Sequence, residues 1–215
     1  MAKFYFYKLT VDDGGAPCVE NDLLTLAICK PMIRSTADDR ANDVIFGFAA
    51  NSLHADNRLI YIARITKKLT KGNYFKQQAY AHRKDCIYEW TGTTYKLRAG
   101  AKFHCSENHL AHDLGEPSSF ARANVLLSDD FRYLGGSLPE HYKKRFPNLA
   151  RALADLKRGH RCYHERALLD ELQCLWDETR RDYAQEFVGK QSQQSSCDVS
   201  HRGSGCAIAV PREGC

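Results

Sequence analysis

A chain of 215 residues with 43% apolar content is long enough and apolar enough to bury a real core, and a formal charge of +5 is too mild to define a partner by itself. Nine cysteines, an odd number spread from 18 to 215 without a C-x-x-C, exclude a small disulfide scaffold and predict reduced thiols in a cytoplasmic protein. No apolar run reaches the ~20 residues of a membrane span, and MAKFYFYKL has no apolar signal core, so no membrane partner is expected.

Lys3–Val11 reads as a strand, rich in aromatic and β-branched residues, and Asp12–Pro17, with Gly14, Gly15 and Pro17, as a backbone-defined loop. Leu23–Cys29 is a second strand, stopped by Lys30-Pro31. Met32–Ala41 is a helical turn or an extended link. Val44–Ala49 and Leu59–Ile65 are the central strands, joined by a polar loop. In the second, both alternating sets are apolar, which is the pattern of a strand buried on both faces. Asp43 before the first run and Arg64 near the end of the second suggest a rim.

Thr70–Asp85 is helical or irregular, and Ile87–Leu97 is a hairpin about Thr91-Gly92. Residues 101–119 lack periodicity and read as a long ordered loop. Ala123–Ser128 is a buried strand. From Pro139, a first-turn proline, the pattern is helical, with Leu149, Leu153 and Leu156 in phase and Gly159 as a stop. A second helix covers about Glu165–Phe187. Residues 1–188 form one domain in this reading. Residues 189–215, polar and without an apolar face, form a disordered tail that folding does not need.

Several stretches together carry a resemblance: Asp13-Gly14-Gly15-Ala16-Pro17, Cys29-Lys30-Pro31 with Ile33-Arg34, and Asn42-Asp43-Val44-Ile45 with Gly47. They continue through Leu59-Ile60-Tyr61, Arg64-Ile65-Thr66, Leu69-Thr70, Tyr74, Phe103-His104 and His112-Asp113. Val125–Ser128 with Phe131, Tyr133 and Gly135, then Gly159-His160-Arg161, complete the set. In this order, over about residues 3–180, they resemble the second family of nucleotide modification associated domains. The central strands are similar to the EVE and YTH group of the PUA-like superfold. The chain departs from the family pattern at Asn42-Asp43-Val44, where Gly-Asp-Trp is usual, and at Lys67, where an acidic residue is usual. The resemblance implies an α+β fold, a small PUA-like β-barrel with flanking and C-terminal helices, and work on modified bases.

The residues themselves supply the candidate site. Phe103–Asp113 concentrates His104, Cys105, Glu107, His109, His112 and Asp113 in one polar stretch. The spacing matches no standard metal signature, so neither metal nor cofactor is assigned. His104, His112 and Asp113 are the groups that would read the polar edges of a base. Against this stands a plain role, in which His104 and Asp113 only hold the loop. Asp13, Gly14 and Gly15 make either a close approach to a ligand or a tight turn. Lys30, Arg34, Asp43, Arg64 and Arg161 sit at element ends, where the basic ones would suit phosphate. Tyr61, Trp90 and Tyr133 are aromatic candidates for stacking, Trp90 first. Cys29 and Ser128 are not chosen as nucleophiles, because no nucleophile elbow and no His–Asp partner is visible for either.

The expected function is recognition of a modified base or nucleotide, in DNA first and in RNA otherwise, within a base-modification or phage-defence system. One alternative is an enzyme acting on such a base with His104, His112, Asp113 and His160 as acid–base or metal groups. Another is a structural partner of other proteins in a modification complex. The expected geometry puts Asp43, Tyr61 and Arg64 at one barrel mouth with Gly14 and Gly15 nearby.

Overall fold

The computed structural model describes residues 2–117, 119–136, 142–185 and 187–189. Its centre is a mixed sheet. β1 (Phe4–Leu9) pairs in parallel with β4 (Val44–Ala49), and β5 (Leu59–Arg64) runs antiparallel between β4 and β10 (Asp130–Tyr133). The two-residue strands β11 (His160–Arg161) and β12 (Phe187–Val188) close the edges, giving the order β11-β1-β4-β5-β10-β12. Between β1 and β4 the chain leaves to build a second sheet. β2 (Cys18–Glu20) and β3 (Leu23–Leu26) join β9 (Val125–Ser128) and β6 (Lys67–Leu69) in the order β2-β3-β9-β6. Both sheets are open among the described residues, so the mixed α+β class stands and no closed barrel is drawn.

Strand alternation explains the layering. Phe4, Phe6, Val44, Phe46, Phe48 and Ile62 point to one face of the central sheet. They meet the apolar stripes of α5 (Pro147–Asp155) and α6 (Arg166–Asp182), including Leu149, Leu153, Leu172 and Trp176. Tyr5, Tyr7, Ile45, Tyr61, Ala63, Phe131 and Tyr133 point to the other face. They meet Leu24 and Leu26 of the second sheet and Ile33 of α1 (Pro31–Thr36). With helices on one side and a sheet on the other, the central strands must be apolar in both phases, as their sequence is. Gly47 is required here: a Cβ on it would lie 2.1 Å from the Tyr61 ring.

A third cluster lies beyond the second sheet. It joins α2 (Asn73–Lys76) to the hairpin of β7 (Tyr88–Trp90) and β8 (Tyr95–Leu97) through Tyr74, Phe75, Tyr88 and Tyr95, with Phe103, Leu114 and Leu127. The 101–119 segment, expected as a loop, contains a two-turn helix, α3 (Glu107–Leu114). Its inward side carries the buried Asp113 and Leu114 with the half-buried Leu110. A carboxylate in the middle of that face hides the helical period. Gly115 at φ +81 ends the helix.

At the C-terminal end, α4 (Tyr142–Arg145) precedes α5, whose first-turn proline is Pro147. Pro139 lies outside the described residues, and α6 stops at Asp182 rather than Phe187. The tail after Gly189 also lies outside them. No helix among the described residues is long and apolar enough to cross a membrane.

Candidate functional site

The site begins where β3 turns into α1. Ala27 and Ile28 are buried, and Cys29 and Lys30 then take left-handed φ values of 57° and 42° before Pro31 opens the helix. Two consecutive non-glycine residues in that region cost free energy, and such strain clusters where geometry serves a purpose. Arg34, one turn into α1, fixes the turn from beneath. Its Nε donates to the Cys29 carbonyl at 2.7 Å, and its terminal nitrogens donate to the carbonyls of Arg122, Asn124 and Asp113 at 2.8, 2.6 and 3.1 Å.

Asp113 comes to the same point from α3, fully buried and 3.5 Å from Arg34. One carboxylate oxygen accepts the Cys29 N–H at 3.2 Å. The other accepts the Tyr88 hydroxyl at 2.9 Å and faces His104 Nδ1 at 2.5 Å. The far nitrogen of that imidazole, Nε2, lies 3.2 Å from Cys29 Sγ. Thiol, imidazole and carboxylate therefore stand in a line. With a carboxylate on Nδ1, that nitrogen carries the proton, and Nε2 is left to exchange one with the thiol. The imidazole is 13% exposed and the carboxylate 0%, so the line runs from the interior toward solvent.

Burial pushes the Asp113 carboxyl up, but the hydrogen bond from His104, the charges of His104 and Arg34 and the bond from Tyr88 outweigh it and hold it below the ordinary range. Burial, then the Asp113 charge, pushes the Tyr88 phenol well above its usual value, so it stays a donor. For Arg34, burial outweighs the attraction of Asp113 and lowers the pKa, the opposite balance to its partner. A guanidinium this fully hydrogen-bonded stays charged nonetheless.

On the central-sheet side of Cys29, Lys30 Nζ sits 4.6 Å from the Tyr7 ring centroid, and the Tyr7 and Tyr61 hydroxyls are 3.0 Å apart. Tyr133 donates its hydroxyl to Asp12, and His160 lies opposite Tyr7 in the β1–β11 register. Burial lowers the pKa of His160, with Lys30 adding to it.

The other sequence candidates are placed elsewhere or used otherwise. Gly14 at φ +85 makes the turn, and Gly15 lies so close to Phe103 that a Cβ would meet its ring at 2.9 Å. The close approach is thus to the residue before His104, and Asp13 secures the loop by accepting the Gly15 N–H. Asp43 accepts the N–H groups of Lys3 and Asp38 at the Phe4/Val44 end of the sheet, whereas the Gly14–Gly15 loop leaves from the Leu9/Ala49 end. The register therefore keeps Asp43 and Arg64 at one end of the sheet, with Tyr61 toward its middle, and starts the Gly14–Gly15 loop from the other end. Arg64 pairs with Asp130 at 3.5 Å and lies over Trp176. Arg34, offered for phosphate, is buried and spends its donors on carbonyls and Asp113. Arg161 donates to the Tyr163 carbonyl. Trp90 packs on Tyr95 and Phe120 with Lys76 Nζ 4.1 Å from its ring. His112 is half-buried beside Asp113 but makes none of the bonds in the line, and His109 stacks on His104 at 4.6 Å. No group of three or more His, Cys, Asp or Glu side chains among the described residues is arranged so that it could hold a metal ion, the Cys29–His104–Asp113 line included.

Cys29 is the residue that sequence reasoning set aside. The signal for it was present: the ordered set of stretches holds a single cysteine, Cys29, together with three histidines and three aspartates, the residue types of a Cys–His–Asp arrangement.

By geometry this is an α+β protein that lines up a thiol, an imidazole and a buried carboxylate. The chain belongs to the family described as nucleotide modification associated domain 2, whose model matches residues 1–190. No curated protein and no solved structure matches it.

Proposed function

We propose that this protein is an enzyme of nucleotide modification in which Cys29 is the nucleophile, His104 its acid–base partner and Asp113 the group that orients the imidazole. The family supplies the association with nucleotide modification. The observation that carries the chemistry is the unbroken line from Cys29 Sγ through His104 to Asp113, at 3.2 and 2.5 Å. Such a line suits attack on a carbonyl-type carbon of a modified base or nucleotide, in DNA in the first instance. The thiol proton passes to His104 Nε2 as sulfur bonds to the carbon. The leaving group then departs with that proton, leaving a thioester. Water or an amine, deprotonated by the same nitrogen, attacks the thioester and expels the thiol. No electrons are gained or lost overall.

Recognition without chemistry is the rival reading. It needs an accessible aromatic cage; Tyr61 and Tyr133 are 0% exposed with their hydroxyls engaged, and the half-buried Trp90 packs on Tyr95 and Phe120 away from them. That burial favours the enzyme. The reading does not depend on classing the two sheets as a PUA-like barrel, because the line of groups is built by α1, α3 and the loops before them. A role beside protein partners is compatible with either.

Limited iodoacetamide labelling, read by peptide mass spectrometry, tests it. A normal thiol with pKa about 8.5 is about 3% ionised at pH 7, so a His-activated one has up to roughly thirtyfold to gain. Cys29 should label ahead of the exposed Cys105 and Cys174, and His104→Ala should remove that lead in a protein that still melts cooperatively. A folded protein in which Cys29 labels no faster than Cys174 would falsify the nucleophile assignment.

A further inference from the structure

The segment leading to His104 also lines a cleft that the chemistry above does not use. The cleft encloses about 190 Å³ between the turn around Arg83 and the stretch from Arg98 to Lys102. Its side chains include Arg83, Lys84, Arg98 and Lys102, and no carboxylate lines it. Arg83 is buried, held to the carbonyls of Glu20 and Leu23 and to Thr25, and lies 3.7 Å from Asp85. Its Nε is the atom that faces Asp85, beyond hydrogen-bond distance, so Arg83 contributes charge to the wall of the cleft rather than a spare donor. Lys84 and Lys102 are exposed, and Gly100 at φ +79 has open space where a Cβ would stand.

The cleft is mechanically tied to the Cys29 line. Arg98 Nε donates to the Tyr88 carbonyl at 2.9 Å, and the Tyr88 hydroxyl donates to Asp113. Lys102 is two residues before His104. An anion held in the cleft would therefore be linked to the Cys29 line through Arg98, Tyr88 and Asp113, which suits a substrate that carries its phosphate apart from its reactive base.

We propose that the cleft between Arg83 and Lys102 is a phosphate subsite, which takes a backbone phosphate of a DNA strand and thereby positions a base toward Cys29. The proposal rests on the nucleotide reading given above. Guanidinium and ammonium groups around an open cleft with no carboxylate are what phosphate contacts need, and they carry no base preference. Lys84 is partly held back, because its Nζ lies 3.5 Å from Glu20.

The test uses a fluorescein-labelled single-stranded thymidine dodecamer, with anisotropy followed from 50 to 200 mM salt. Lys102→Gln together with Arg98→Gln should weaken binding by roughly tenfold or more at the low-salt end. It should also reduce the salt slope by about 1.4, since each phosphate contact on a single strand contributes about 0.7. Glu20→Gln, which releases Lys84, should tighten binding, a gain that damage to the fold does not produce. Lys102→Gln alone, at an exposed side chain, gives the same direction with half the slope change if the double variant fails to fold. Thymidine 5′-monophosphate as competitor separates the sources: competition much weaker than the dodecamer's own binding supports a DNA strand, and competition as strong identifies a free nucleotide as the ligand and overturns the DNA-strand assignment. The proposal is overturned if the wild type binds neither probe, or if the variants leave affinity and slope unchanged. The Cys29 labelling rate in the wild type and in Lys102→Gln, which leaves the Arg98–Tyr88 bond in place, reads the nucleophile separately, so loss of one result leaves the other standing.

Discussion

Arg34 illustrates how a single residue is read differently with and without its neighbours. At the end of a predicted turn it suits phosphate; in the fold it is 0% exposed and, among the described residues, is the one permanent positive charge within 4 Å of Asp113. Arg34→Met should leave a buried carboxylate without its permanent counter-charge and cost about 3–5 kcal/mol, measured by urea unfolding. Arg34→Lys should recover little of that, because one ammonium cannot replace donors aimed at four carbonyls. A lysine variant as stable as the wild type would show that charge alone, not the fork of donors, holds the turn. Cys29 gives the complementary case. Its chemistry depends on partners 75 and 84 residues away in sequence, and nothing local to Cys29-Lys30-Pro31 announces them.

The elements divide the work by face of the central sheet. α5 and α6 cover one face, and α1 with the second sheet covers the face that leads to Cys29. Leu172 on α6 is fully buried on the helical side. Leu172→Ala should cost about 2–5 kcal/mol of stability while leaving the rate of Cys29 alkylation unchanged under native conditions. Melting curves and labelling rates on the same preparation check both halves; a labelling rate that changed in step with stability would mean the helical layer also shapes the thiol's surroundings. α3 is the element whose type the sequence concealed. Its inward face is polar at Asp113 because the protein supplies three donors there, from Cys29, Tyr88 and His104, and that polarity erased the apolar period.

At the scale of the molecule, the buried titratable groups set the response to acid. Burial lowers the pKa of His164, as it does for His160, His109 and His112. A histidine with a folded pKa below its unfolded value near 6.5 binds fewer protons when folded, so stability should fall as pH drops below about 6.5. Asp113 is shifted down as well, so its contribution is present above the unfolded carboxylate value and is lost only as pH falls through its lower folded value. Urea midpoints from pH 8 to pH 3 should therefore decline in two stages, and a flat profile between pH 7 and pH 5 would contradict the histidine part. Truncation after Gly189 should leave the melting temperature within about a few degrees, since the family match ends at residue 190 and the sequence beyond offers no apolar face. A larger loss would mean that the last residues dock on the folded part.

The sequence by itself determined β1, β4 and β5 of the central sheet but not its β10, β11 and β12, and it determined the hairpin at Tyr88–Leu97, the C-terminal helices and the family. These rest on local periodicity and on short stretches in a fixed order, which need no knowledge of distant contacts. It also pointed to His104 and Asp113 through their density in one stretch. Only the tertiary structure decided that Gly14–Gly15 and Asp43 lie at opposite ends of the sheet, that Arg34 serves the interior, and that Cys29 faces His104. The physical reason is common to all three. Parallel pairing of β1 with β4 fixes which strand ends coincide, and the crossover between them carries Cys29 and Arg34 under a helix from the middle of the chain. Side-chain distances created by such non-local pairing leave no mark in the spacing of the residues that share them.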